Sequence, residues 1–182
     1  EIRSVAKTVN FGIVYGITAV GLVGALKKVG IEKTEYEAEK IIKDYDPKVI
    51  GVSVKTATAN VSAQIVRRLK SIFPDIIYVV GGPHITLCAK EFIQENNEIN
   101  LGIIGEGENS FVELVTNINN DKSDISRIKG ICYRQNGSPV VNNVDKSPDI
   151  CQLAYPVFDC VRDMDFTDFR YPLLTSRGCP NG

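Results

Sequence analysis

Apolar positions along this chain follow two alternating periods, most densely between Asp46 and Pro83. Lys48–Val54 and Ile76–Val80 are short, nearly continuous apolar runs rich in Val and Ile, the pattern of strands covered on both faces. Between them Val61, Ile65, Leu69 and Ile72 recur every three or four residues, with Arg67, Arg68 and Lys70 on the other side of the wheel. That spacing predicts an amphipathic helix with its core face on the apolar set, ended by Pro74-Asp75. Such a strand–helix–strand unit crosses over right-handed and leaves its strands adjacent and parallel. The strands end at Ser53 to Thr56 and at Gly81 to His84, the edge where open parallel sheets receive ligands.

The same alternation continues on both sides. Upstream, Asn10–Tyr15 reads as a strand followed by a helix from Ala19 to Val29 with Gly30 as its cap; alternatively Ile2 to Tyr15 is helical throughout. Thr34 to Tyr45 is predicted helical, with Thr34 and Glu37 forming a capping box and Tyr36, Ile41 and Ile42 facing the core. Downstream, Thr86 to Glu95 is a helix, Leu101 to Ile104 a short strand, and Ser110 to Asn119 a helix with Phe111, Leu114, Val115 and Ile118 on one face. Ile128–Arg134 and Pro139–Val144 alternate about Asn136-Gly137, a strong hairpin signal. Asp145 to Arg170 is rich in Pro and Asp and weakly periodic, the character of an extended linker, and Tyr171 to Thr175 opens a new strand. The expected fold is therefore α/β: a doubly wound parallel sheet with helices on both faces, followed by a β-hairpin and an extended linker.

Composition narrows the partners. Of 182 residues, 43% are hydrophobic and 24% charged, ordinary for a globular chain. The formal net charge of -1 offers no bulk attraction to nucleic acid or to a membrane surface. Phe11 to Leu26, the longest apolar stretch, is broken by Gly12, Gly16, Gly21 and Gly24 and is too short for a membrane span. With no secretory signal visible, and with an odd set of cysteines lacking compact spacing (Cys88, Cys132, Cys151, Cys160, Cys179), a reducing, cytoplasmic setting is expected.

Three places can carry chemistry. Gly81-Gly82-Pro83-His84 follows a buried strand, and its glycines leave main chain that a flat ligand can approach, or simply make a tight strand–helix turn. On that basis a bulky residue at Gly82 is expected to block the ligand at only modest cost in stability. His84, the only histidine, reads as a turn residue bonding the backbone; as a metal ligand it needs a further partner to orient it. Gly105-Glu106-Gly107-Glu108 ends the next strand, where acidic side chains also suit a helix N-terminus. Ser53 and Thr56 either cap the following helix or offer hydroxyls to a buried polar ligand. Cys88 and Cys132 fall within helix and strand patterns and read as packing residues.

Taken in order and spacing, Val49-Ile50-Gly51-Val52-Ser53, Gly81-Gly82-Pro83-His84-Ile85-Thr86 and Gly105-Glu106-Gly107-Glu108 resemble the cobalamin-binding domain of radical S-adenosylmethionine enzymes. Gly21-Leu22 and Leu26 to Gly30 resemble that family's first helix, Pro148 to Asp159 its interdomain linker, and Ser176-Arg177-Gly178-Cys179-Pro180 the entry to its catalytic barrel. The resemblance implies a flavodoxin-like (Rossmann-type) sheet that receives the corrinoid's nucleotide tail, with Ser53, Thr56, Gly81, Gly82, Pro83, His84, Gly105, Glu106 and Gly107 as cofactor-binding positions. It implies residues 1–125 as the cobalamin unit, 126–170 as hairpin and linker, and 171–182 as the start of the barrel. In that family three cysteines spaced Cys-x3-Cys-x2-Cys hold a 4Fe–4S cluster. Cys179 matches the first, and the second position falls just after Gly182. The implied full-length enzyme would cleave S-adenosylmethionine reductively and typically transfer a methyl group to a small-molecule or natural-product-like substrate. The stretch seen here would bind only. The Asp-x-His-x-x-Gly cobalt-ligating motif of other cobalamin proteins is absent, so the lower axial ligand stays unassigned.

Two other classes compete. Arg3, Lys7, Phe11, Tyr15 and Gly16 resemble the fingers-helix motif of family A DNA polymerases, although nothing downstream resembles a polymerase palm. A non-catalytic doubly wound module that binds a cofactor or nucleotide is the remaining alternative.

Overall fold

The structure, a computed structural model, describes residues 39–40, 42–44, 46–120 and 124–144. The expectations for residues 1–38, for the linker and for Cys151, Cys160 and Cys179 lie outside them.

Five strands form one sheet in the order β1 (Val49–Ser53), β2 (Ile77–Gly81), β3 (Leu101–Ile103), β4 (Ile131–Gln135), β5 (Ser138–Val141). β1, β2 and β3 are parallel neighbours, Val49 opposite Ile77 and Val79 opposite Leu101. The hairpin expected to follow the domain instead extends its sheet: β4 pairs antiparallel with β3, and β5 with β4. Its turn is the one Asn136-Gly137 encodes, with φ of 52° and 81° at the two residues.

Three helices cover the sheet: α1 (Ala59–Ile72), α2 (Pro83–Glu95) and α3 (Glu108–Asn119). Alternation within the strands divides the core. Val52, Val54, Tyr78 and Val80 face α1 and α2, whereas Val79, Leu101 and Ile103 pack with Leu114 of α3 on the other side. Residues 39, 40 and 42–44 are helical, and Ile42 packs against the first cluster.

The buried stripe of α1 only partly matches the one read from its largest apolar residues: Leu69 is buried and Ile65 packs against the core, but Val61 does not. Ala59, Ser62, Ala63, Val66 and Leu69 face the core, and Val61 is 55% exposed. The stripe keeps helical spacing but opens with alanine and serine, which let the helix axis approach the sheet closely. In α3, Leu114 is fully buried and Ile118 joins the core, while Phe111 at the site end is 39% exposed. β3 carries Gly102 where a Cβ would stand 3.0 Å from Ile93 Cδ1 and 3.2 Å from Ile85 Cγ2, so α2 seats directly on that strand.

Tyr78 is fully buried, donates its hydroxyl to the Phe73 carbonyl at 3.3 Å and lies under the Lys70 ammonium. Burial pushes its phenol from 10.0 to about 12. An unfolded tyrosine loses its proton first, so the stability owed to this buried neutral phenol is complete below about pH 10 and is lost between about pH 10 and about pH 12. Tyr78→Phe is expected to flatten that alkaline decline, at a cost near neutrality of about 1 kcal/mol for the lost hydrogen bond. Urea midpoints of both proteins at about pH 8 and about pH 11 check this.

Cys132 is fully buried in the core. Desolvation raises its thiol above the ordinary value, with Lys90 and Arg134 opposing weakly, which makes it the inert packing residue expected.

Candidate functional site

The three parallel strands deliver their carboxyl ends to one edge, and five segments meet there. Ser53 pairs with Gly81, and one residue further Val54 donates its N–H to the Gly81 carbonyl at 2.7 Å. Gly82 then turns the chain with φ 95° and ψ -176°, a combination essentially confined to glycine. A Cβ there would stand 3.0 Å from both Ser53 Oγ and the Val54 carbonyl oxygen and 3.2 Å from Val54 N. Glycine is required by the neighbouring strand's exit, then, and not only by an approaching ligand. Substitution at Gly82 is consequently far more costly to stability than the sequence alone suggested.

Helix α2 starts at Pro83, three residues earlier than expected. Proline at the first helical position sacrifices no intrahelical bond. His84 therefore lies in the first helical turn and not in a loop. Its N–H reaches the Val54 carbonyl at 3.2 Å. Its ring Nδ1 is 3.3 Å from Thr56 Oγ1, and the ring meets Phe92 edge to face at 5.3 Å. Thr56 begins a short 3-10 turn, Thr56–Thr58, and Thr58 precedes α1. Neither Ser53 nor Thr56 caps α1, so both hydroxyls remain at the sheet edge and the capping alternative for them falls away.

Gly105 leaves β3 with φ 73° and donates its N–H to Thr86 Oγ1 at 3.1 Å. Gly107 is the N-cap of α3, and Glu108 opens its first turn, where the helix dipole favours a carboxylate. Glu106 is exposed between them. The structure thus brings Ser53, Thr56, Gly81, Gly82, Pro83, His84, Gly105, Glu106 and Gly107 to one edge of the sheet. Thr86 was missed as a site residue. Its signal was a hydroxyl four residues after Gly82, within reach of that residue's carbonyl.

The donor set of this edge is backbone amides, hydroxyls and one imidazole. Among the described residues no group of three His, Cys, Asp or Glu side chains could hold a metal ion. On the face shared with α3, Gly51 and Ser53 are small residues of β1, Ser53 opposite Gly81, and no described atom lies within 4 Å of a Cβ built on Gly51. A flat group with a long polar tail fits such a surface better than a bare cation does. No described helix is long and apolar enough to cross a membrane.

An α/β sheet with glycine-lined strand exits defines a cofactor-binding domain of the doubly wound class. Residues 22–115 match the B12 binding domain. The chain belongs to this family, and cobalamin is its ligand. It is 30% identical over 151 residues to an uncharacterised methyltransferase of Pyrococcus horikoshii, covering 78% of this chain and 31% of that protein. It is 25% identical over 143 residues to the cobalamin-dependent radical SAM methyltransferase TokK of Streptomyces tokunonensis, covering 74% of this chain and 21% of TokK. Among solved structures, that of the cobalamin-dependent S-adenosylmethionine radical enzyme OxsB with aqua-cobalamin and S-adenosylmethionine bound superposes with a TM-score of 0.53. That match is at 21% identity and covers 75% of this chain and 21% of OxsB, a likeness of fold. The chain spans about a third or less of the length of these relatives. Membership favours the cobalamin domain over a nucleotide-binding module and over a polymerase fragment.

Proposed function

We propose that this chain is the cobalamin-holding module of a radical S-adenosylmethionine enzyme, and that the Gly81-Gly82 exit and its flanking loops hold the corrinoid. The observation that carries this is the convergence of Ser53, Gly81, Gly82 and Gly105 at the carboxyl edge of three parallel strands, within the span 22–115 that matches the family. Ser53 and Thr56 supply hydroxyls, the Gly81–Pro83 backbone supplies a surface free of long side chains, and Gly105 to Gly107 form the opposite wall. His84 stands beside Thr56 with its ring already engaged by that hydroxyl and by Phe92. Its role in this reading is to hold two loops together, and cobalt ligation is not needed.

When bound, cobalamin supplies a methyl-carrying cobalt centre. The domain's own part is to bind the cofactor and to shield one of its faces. In the longer protein, residues 145–170 form the linker, residues 171–182 open the barrel, and Cys179 is a thiolate of a 4Fe–4S cluster. The substrate of that longer protein is a small molecule of natural-product type, and the setting is cytoplasmic.

Titration with hydroxocobalamin, followed by its visible spectrum, tests the domain assignment. Saturable binding at equimolar stoichiometry with a shifted spectrum is expected, and no binding would overturn it. For Cys179, anaerobic reconstitution of the full-length protein with iron and sulfide is decisive. Cys179→Ala should remove the broad cluster absorbance, and its retention would exclude that thiol.

A further inference from the structure

We propose that Thr86 is a positioning residue of the cofactor site, its hydroxyl locking the Gly105 loop to the Gly82 turn so that two walls move as one. The inference rests on the cobalamin reading above and adds a residue to it.

Thr86 Oγ1 has one proton and two lone pairs. The proton goes to the Gly82 carbonyl at 3.1 Å, which also accepts the Thr86 N–H at 3.0 Å. A lone pair of the same oxygen accepts the Gly105 N–H at 3.1 Å. One hydroxyl thus bridges the exits of β2 and β3. The residue before Gly105 is held from the other side, Ile104 donating to the Gly130 carbonyl at 2.8 Å. The β3 exit is clamped between β4's approach and the first turn of α2.

A kink separates that first turn from the helix behind it. Cys88, with φ -130° and ψ 33°, interrupts α2 directly after it. Residues 83–87 are placed by the burial of Ile85 in the core and by their own bonding: His84 N–H to the Val54 carbonyl, His84 Nδ1 beside Thr56, and Thr86 to Gly82 and Gly105. The turn acts as a keystone across three strand exits, and Thr86 supplies a side-chain bond to the third. Threonines bonding back one turn are ordinary in helices; Thr116 of α3 does the same to the Val112 carbonyl at 2.7 Å. The Gly105 N–H is what sets Thr86 apart, and Thr116 is the natural control.

Thr86 is exposed, so Thr86→Val removes the hydroxyl without opening a cavity. In the full chain, Thr86→Val should weaken hydroxocobalamin binding about fivefold, the worth of one hydrogen bond, while Thr86→Ser and Thr116→Val stay within about twofold of wild type. In the cobalamin-free protein, amide exchange at Gly105 should accelerate by about the same factor in Thr86→Val alone. Wild-type affinity and unchanged Gly105 exchange in Thr86→Val would overturn the role of Thr86 and leave the cobalamin reading standing. So would failure of serine to rescue, or an equal loss in Thr116→Val. A wild-type chain that binds no hydroxocobalamin overturns the cobalamin reading itself, and the assignment of Thr86 with it.

Discussion

Gly82→Leu should both destabilise the protein severely and abolish cobalamin binding. Two costs add. The backbone at φ 95° and ψ -176° strains any residue with a Cβ by about 1–3 kcal/mol. The Cβ itself lands 3.0 Å from the Val54 carbonyl oxygen, a main-chain atom that cannot swing aside. Moving it breaks the Val54-to-Gly81 bond of 2.7 Å or the His84-to-Val54 bond of 3.2 Å. Together these reach about 3–5 kcal/mol, a large share of the about 5–15 kcal/mol that holds a domain folded. A fall of at least about 10 °C in Tm is expected for Gly82→Leu. Gly82→Ala carries the same Cβ and should suffer most of the same fall. Retention of wild-type Tm by Gly82→Ala would show that the turn relaxes freely and that ligand contact alone demands glycine there.

The second large effect is expected at the opposite end of α2. Arg134 of β4 extends its guanidinium beneath the helix C-terminus and donates to the carbonyls of Ile93, Asn96 and Ile99, the latter two at 2.8 and 2.7 Å. Those carbonyls belong to the end of α2 and to the connection into β3, where the helix has run out of its own donors and carries its negative dipole end. Arg134→Leu leaves three part-buried acceptors without this donor and should cost about 2–4 kcal/mol. Arg134→Lys should restore only a fraction, since a single ammonium cannot span three acceptors held by a planar fork. Urea denaturation of the wild type and both variants checks this, and an Arg134→Leu midpoint equal to that of the wild type is the outcome that refutes it. Hydroxocobalamin affinity of the folded fraction should change little, because α2's site end is anchored separately by residues 83–87.

Most of the sheet was legible because strand and helix periods are local. Lys48–Val54 and Ile76–Val80 announced themselves as adjacent parallel strands, and Asn136-Gly137 announced the hairpin, because each signal needs only a few adjacent residues. The edge where the candidate residues gather followed from topology alone, since parallel strands with right-handed crossovers must end together. The face of α1 was only partly legible: Leu69 and Ile65 lie on the core side as expected, but Ala59, Ser62 and Ala63 weigh little in an apolar pattern, and Val61 was taken for core in their place. The start of α2 was placed late because Gly82 and Pro83 read as turn residues, whereas proline here is the first helical residue.

The amino-acid order by itself determined the elements, their sequence along the chain and the glycine-rich strand exits, since these depend on near-neighbour periodicity and on which residues tolerate unusual backbone. Tertiary structure alone decided that the hairpin completes the sheet beside β3, that the neighbouring strand demands glycine at 82, and that Thr86 and Arg134 tie the two ends of α2 to their surroundings. Each of those joins groups distant in sequence, 19 residues apart for Thr86 and Gly105 and 35 for Arg134 and Ile99. Hydrogen bonds across such separations arise from the packed arrangement of strands and helices, and no local pattern encodes the partner.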